Sequence, residues 1–230
     1  MKRNFSLLLD FMLPGLVLLD LVLVGAILLR APLLLRAPYF GTTLFTILFL
    51  LLYGGVGVGF PRLVRSARVK DVLWQATWIG PLVGLFFAVS IIIEYFVDLN
   101  LTGNLLSTFG FMGLILLTFI GAGVRGMQIT GSWLLGVLCS VWSALLGVLI
   151  ALLCGMTISM FFLQRLEAIS ADYVPGALSD PATSALFSTL DNASSHLFEG
   201  PIYAALLGAL GALIFTRFFT RRRRFLSQAK

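Results

Sequence analysis

Five long stretches of this chain contain no Asp, Glu, Lys or Arg residue, and they constrain its fold more than any other feature. These stretches lie between Arg36 and Arg62, Asp71 and Glu94, Asp98 and Arg125, Arg125 and Arg165, and Glu199 and Arg217. A helix crosses the hydrocarbon core of a bilayer with about 20 apolar residues. Because backbone N–H and C=O groups must be paired inside lipid, such uninterrupted apolar runs predict membrane-spanning helices.

The composition supports a membrane protein and excludes several other classes. Of the 230 residues, 59% are hydrophobic and 11% are charged, whereas a soluble domain is roughly 45–50% apolar and about 25% charged. This excludes a soluble globular protein, a disordered chain and a fibrous one. We therefore expect one membrane domain over residues 1–230, without a fused soluble ATPase or kinase domain.

An apolar N-terminal segment adds one more span to the five uncharged stretches. Asp10, Pro14 and Asp20 interrupt this segment, and no small-residue cleavage site follows it, so we interpret it as a retained signal anchor. The fold class predicted is an all-α, polytopic transmembrane helical bundle. Its six spans are expected at about residues 7–29, 40–60, 76–97, 105–124, 132–161 and 201–217.

The positions of the basic residues predict how the bundle is oriented. With the N-terminus in the cytoplasm, 13 of the 16 Lys and Arg residues lie on the inner side, as the positive-inside rule requires. The exceptions are Arg30, Arg36 and Arg165. We therefore expect both termini to be cytoplasmic, in what we take to be a bacterial plasma membrane.

The segment 162–200 is predicted to be an acidic outer loop. Asp180 followed by Pro181 is typical of a helix N-cap and the first helical position. Apolar residues then recur at helical spacing from Leu186 to Leu197. We expect a short amphipathic helix at about 181–193, lying on the outer surface or over the mouth of the bundle.

Small residues recur every fourth position in two spans, which allows another helix backbone to approach closely. The pattern fits either tight packing inside the bundle or a sliding or oligomeric interface. The helix-packing candidates are Ser143, Gly147, Ala151, Gly155 and Ser159 in the fifth span, and Ala204, Gly208 and Ala212 in the sixth.

Asp20 is the strongest candidate for a functional side chain. It lies near the middle of the first span, where an ionised carboxylate costs several kcal/mol unless it is paired, protonated or in contact with water. No Lys or Arg is predicted at the same depth on another span. Asp20 is therefore a candidate proton, cation or substrate site, and the alternative is a carboxylate hydrogen-bonded within the bundle.

Two more carboxylates lie near the outer end of the third span. Glu94 and Asp98 are four residues apart, so they share one helix face and could attract cations at a mouth, although such residues also mark the membrane interface. His196 is the only histidine, and together with Asp191 and Glu199 it forms a weak metal motif. We therefore predict no metal site.

The basic cluster that follows the last span predicts contact with lipid. Arg221, Arg222, Arg223 and Arg224 would attract anionic headgroups or anchor the orientation of the chain. We do not expect nucleic-acid binding, because no folded surface with interleaved aromatic residues accompanies the cluster.

The sequence leaves the function open between two main hypotheses. The first is a small permease or transport-type subunit, indicated by Asp20, the glycine-rich helix faces and the acidic outer loop. The alternative is a non-catalytic scaffold or assembly subunit of a membrane protein complex. A membrane protein partner or a homo-oligomer is expected in either case. Phosphate-loop, dinucleotide and zinc-protease motifs are missing, so we predict neither a cofactor nor an enzyme.

Overall fold

The chain folds into a bundle of long helices in the computed structural model, which describes residues 2–97, 99–170 and 180–228, with side chains over 11–97, 99–167 and 180–217. The described residues contain helices and no strands, and six of the helices are long and apolar enough to span a membrane. The predicted all-α bundle with six spans is confirmed.

Most of the helices are longer than the sequence pattern indicated. They are α1 (Lys2–Arg30), α2 (Phe40–Leu63), α3 (Ala67–Phe96), α4 (Leu101–Thr130), α5 (Trp133–Phe161), the short α6 (Leu163–Ser170) and α7 (Pro181–Gln228). A 30-residue helix such as α3 is about 45 Å long at roughly 1.5 Å per residue. This length covers the hydrocarbon core and both headgroup regions, so charged residues can lie inside a helix and still outside the hydrocarbon.

The helix α5 forms the centre of the bundle. In its most apolar stretch 67% of the residues are buried, compared with 17–28% in the other spans. Its small residues allow close contact: Ser143 donates a hydrogen bond to the carbonyl of Ala76 in α3 at 3.2 Å. A Cβ atom added at Gly147 would lie 2.6 Å from Val83 of α3. Any larger residue at that position would push α3 and α5 apart.

The closest helix crossing joins α4 to α7. A Cβ atom built on Gly123 would lie 2.2 Å from the carbonyl oxygen of Gly208, and one on Gly211 would lie 2.1 Å from that of Ile120. These contacts are with backbone, which cannot rotate away as a side chain can. Glycine is therefore required on both helices at this crossing.

The predicted short helix at 181–193 is wrong as a separate element. The structure has one continuous helix, α7, from Pro181 to Gln228, which is about 72 Å long at roughly 1.5 Å per residue. Its first turns pack into the bundle, because Leu186, Leu190 and Leu197 are fully buried. These turns are therefore part of the same helix as the last span. The N-cap predicted at Asp180 is confirmed: its carboxylate accepts hydrogen bonds from the backbone N–H groups of Ala182 and Thr183.

A tyrosine from α2 explains why α7 continues through Pro201. Proline has no N–H group, so it leaves the carbonyl oxygen four residues earlier, that of Leu197, without its helical partner. The hydroxyl group of Tyr53 donates a hydrogen bond to that oxygen. Because the freed carbonyl is paired from another helix, α7 continues through residue 201, where the sequence predicts that the sixth span begins.

Two of the three arginines that depart from the positive-inside pattern pair with helix ends. Arg30 donates a hydrogen bond to the carbonyl of Met160 at the end of α5, at 2.8 Å. Arg165 donates one to the carbonyl of Tyr95 at the end of α3, at 2.5 Å. The last carbonyls of a helix lack partners within it, and cations are favourable there. We call this end of the bundle, where α1, α3 and α5 finish, the Arg30 end.

We predict that the Tyr53→Phe substitution destabilises the protein, because it leaves the Leu197 carbonyl without a partner. An unpaired buried carbonyl costs about 1–3 kcal/mol. In a Pro201→Ala background the restored backbone N–H can pair with that carbonyl, so Tyr53→Phe should cost less there. The free energy of unfolding of the four proteins in detergent checks this. Equal costs of Tyr53→Phe in both backgrounds would contradict the explanation.

Candidate functional site

Asp20 lies deep inside the bundle, on the face of α1 that packs against α2 and α5. Its neighbours one turn away on either side, Val17 and Val24, are also buried. The contacts between α1 and α2 show the level of Asp20 along α2. Leu13 of α1 lies against Gly57, and Val17 lies against Gly54. Asp20 therefore lies level with the middle of α2.

The carboxylate of Asp20 is enclosed and has no hydrogen-bond partner among the described residues. The side chain is 0% exposed, and neither of its two oxygen atoms is paired. Buried polar groups in proteins are nearly always hydrogen-bonded, and a charge in a membrane-spanning helix is expensive. The buried, unpaired carboxylate of Asp20 therefore carries a free-energy cost, and helix packing does not explain why this residue is present.

A polar cavity of about 130 Å³ lies between α3, α5 and α7 on the Arg30 side of the bundle. Its polar lining residues are Glu94 and Tyr95 from α3, Ser159 from α5, and Thr189, Asn192 and His196 from α7. We call it the α3–α7 cavity. Ser159 and Thr189 are hydrogen-bonded to each other at 2.7 Å across its wall.

The α3–α7 cavity extends from the helix ends towards the middle of the membrane. Along α5 it runs from Ser159 to Ala151, which is about 12 Å at roughly 1.5 Å per residue. Glu94 and His196 are both exposed in the isolated chain, so the cavity is open at its side. Asp20 does not line this cavity.

A second cavity, of about 170 Å³, lies between α3 and α4 at the same end. Its polar lining comes from Ser90 and Glu94 of α3 and from Asn104, Ser107 and Thr108 of α4. Glu94 thus borders polar space on two sides of α3. Asp98, its predicted companion, lies outside the described residues.

Sequence reasoning missed the contribution of α7 to the α3–α7 cavity. Thr189, Asn192 and His196 are spaced by three and four residues, so they share one face of a helix. This signal was present in the sequence, but residues up to 200 were assigned to an outer loop. Only the continuation of α7 into the bundle brings His196 to the same cavity as Glu94.

The α3–α7 cavity is lined by three titratable side chains, those of Glu94, Tyr95 and His196. Among the described residues no group of three or more His, Cys, Asp or Glu side chains could hold a metal ion. Asp191 and Glu199, which formed the weak motif with His196, are on the same helix and exposed. The carboxylate, imidazole, amide and hydroxyl groups can instead hydrogen-bond a small polar solute.

Most of the helix-packing candidates on α5 and α7 are buried between helices of the same molecule. Ser143, Ala151, Ser159, Ala204 and Ala212 are buried, and so are Gly147 and Gly208. Gly155 is half-buried and borders the α3–α7 cavity. These contacts join α5 to α3 and α7 within one molecule. The arginines at 221–224 belong to the last turns of α7, where side chains lie outside the described part of the chain.

Comparison with protein-family models, with curated proteins and with solved structures finds no match to this chain.

We predict that Asp20→Asn increases stability, because it removes a buried carboxylate that has no partner while keeping its size. An ionised aspartate at the centre of a spanning helix costs about 2.5–3.5 kcal/mol by insertion measurements, and the amide of asparagine carries no charge. Thermal unfolding in detergent checks this. Asp71→Asn, at an exposed position near the start of α3, is the matched control and should change little. A clear loss of stability in Asp20→Asn would show that the carboxylate has a stabilising partner.

Proposed function

We propose that this protein is a small permease or transport-type subunit, in which Asp20 is the proton- or cation-binding group within the membrane. It is a membrane protein of six apolar helices, and the transport role is our inference. The observation that carries the proposal is the fully enclosed Asp20 carboxylate with both oxygens unpaired. Ionisable residues inside membranes typically mark ion or substrate pathways.

The α3–α7 cavity supports the proposal, because it gives a small solute a polar place to bind on the Arg30 side. The cavity reaches Ala151 and Leu152 on α5, the helix that also packs against α1. Alternating access would require a second conformation in which water reaches Asp20. Such a rearrangement would have to occur around α5, where small residues form the contacts between helices.

A scaffold or assembly subunit is the competing function, and the two functions differ in whether Asp20 is ever exposed to water. A scaffold needs no second conformation, so Asp20 would stay dry at all times. We do not propose an enzyme. Glu94 and His196 do line one cavity, but no motif identifies a reaction for them.

Cysteine accessibility at position 20 distinguishes the two functions without knowledge of the substrate. The free cysteines Cys139 and Cys154 are first replaced by alanine, and Asp20→Cys is then introduced. The protein in lipid vesicles is treated with a charged, membrane-impermeant methanethiosulfonate, and the mass of the intact chain is measured. Transport predicts labelling at position 20, because the pathway must expose this residue to water.

The matched control is Leu149→Cys on α5, in the same cysteine-free background, since Leu149 is also 0% exposed. It should remain unlabelled. If position 20 is labelled no faster than position 149, the proposed transport role is wrong and the scaffold function is favoured. Size-exclusion chromatography of each variant shows that labelling reports on the folded protein.

The remaining expectations accompany this proposal. We place the protein in a plasma membrane with both termini on the cytoplasmic side, on the basis of its basic residues. The arginines at 221–224 would then contact anionic headgroups of the inner leaflet.

A further inference from the structure

The outward face of α7 is polar at a depth where the exposed side of the neighbouring helix α2 is apolar. Ser188, Asp191, Asn192, Ser195 and Glu199 are all exposed, and their spacing places them on one side of the helix. The buried residues Leu186, Leu190 and Leu197 lie on the opposite side. We call the five exposed residues the polar face of α7.

Hydrogen bonds between α2 and α7 fix the depth of this polar face. Thr46 of α2 donates to the carbonyl of Leu190 at 3.4 Å, and Tyr53 donates to that of Leu197. On α2 the exposed residues over the same levels are apolar: Phe45, Leu48, Leu51 and Leu52 are 38–57% exposed. Residues of that type face lipid, so the polar face of α7 lies within the hydrocarbon belt.

Glu199 is the deepest residue of the polar face. Its neighbour Gly200 packs against Val148, which lies at the middle of α5 (Trp133–Phe161). An ionised acidic side chain that faces lipid at this depth is energetically unfavourable. Two such carboxylates, Asp191 and Glu199, would therefore not remain in contact with lipid chains.

Among the described residues nothing covers the polar face, since all five of its side chains are exposed. The polar face lies opposite the buried side of the helix, and of its residues Asn192 also lines the α3–α7 cavity. Arg30 and Arg165 are hydrogen-bonded to the carbonyls of Met160 and Tyr95 at helix ends. A second copy docked through the same face would place carboxylates against carboxylates, which is repulsive.

We propose that the polar face of α7 binds a membrane-spanning helix of a partner protein that carries two Lys or Arg residues. Asp191 and Glu199 are eight residues apart, which is about 12 Å along the helix at roughly 1.5 Å per residue. The cations on the partner helix should match this distance, so they should be seven or eight residues apart. This complementarity would neutralise both carboxylates inside the membrane.

The exposed side of α7 after Pro201 indicates which residues the other half of the partner helix should carry. Beyond Pro201 its exposed residues become apolar: Ile202, Leu206, Leu210 and Leu213 are 45–64% exposed. A helix lying along α7 would therefore be basic and polar on the Arg30 side and apolar in its other half. The inference concerns an interaction surface and does not depend on transport through Asp20.

A synthetic helix tests the proposal directly. The probe is a leucine–alanine peptide of transmembrane length with two arginines eight residues apart in one half, and the control peptide has glutamine at both positions. The full-length protein and a labelled peptide are reconstituted in phosphatidylcholine vesicles, and energy transfer between them is measured. We expect at least tenfold tighter association of the arginine peptide than of the glutamine peptide.

The variant Asp191→Asn/Glu199→Gln should abolish this preference, and Glu167→Gln on α6, outside the polar face, should preserve it. Both sets of substitutions remove charges without touching buried contacts, and circular dichroism verifies the helical fold. Equal association of the two peptides, or a preference that survives in the double variant, would overturn the proposal. Energy transfer between differently labelled copies of the protein that is lost in the double variant would instead identify a second copy as the occupant.

Discussion

The pairing of backbone polar groups in an apolar surrounding is the constraint on which the rest of this structure depends. It explains why the described chain is helical and why exceptions to regular helix are corrected by side chains from elsewhere. Tyr53 pairs with the Leu197 carbonyl that Pro201 leaves free. Arg30 and Arg165 pair with carbonyls at the ends of α5 and α3. Each of these side chains replaces a hydrogen bond that lipid cannot provide.

Once the backbone is paired, the helices are held together by close contact rather than by polar networks. Glycine and serine on α5 bring α3 to within backbone contact distance, and glycines join α4 to α7. Small residues gain van der Waals contact over the length of the helices. The helices therefore pack closely around α5. This packing does not require the few other polar side chains.

Three polar features of the described bundle are left unexplained by packing, and they lie in different places. Asp20 lies inside, enclosed and unpaired. The α3–α7 cavity opens at the side and joins Glu94 to His196. The polar face of α7 points outward. An internal carboxylate and a cavity fit the handling of a small solute, whereas an external polar face fits a partner in the membrane. The two proposals rest on different carboxylates, Asp20 for transport and Asp191 with Glu199 for the partner.

The sequence by itself determined the number and type of spans, because runs without charge are long and a bilayer permits few backbone structures. It also pointed to Asp20 from its position within a span, and to the N-cap at Asp180. Only the tertiary structure decided the path of α7, because the partner of Leu197 is Tyr53, 144 residues away in the chain. The sequence pattern predicts a separate helix that starts at about residue 201, whereas the hydroxyl group of Tyr53 allows one helix to continue through Pro201. For the same reason His196 and the polar face of α7, which the sequence pattern assigned to an outer loop, lie within the membrane-spanning bundle.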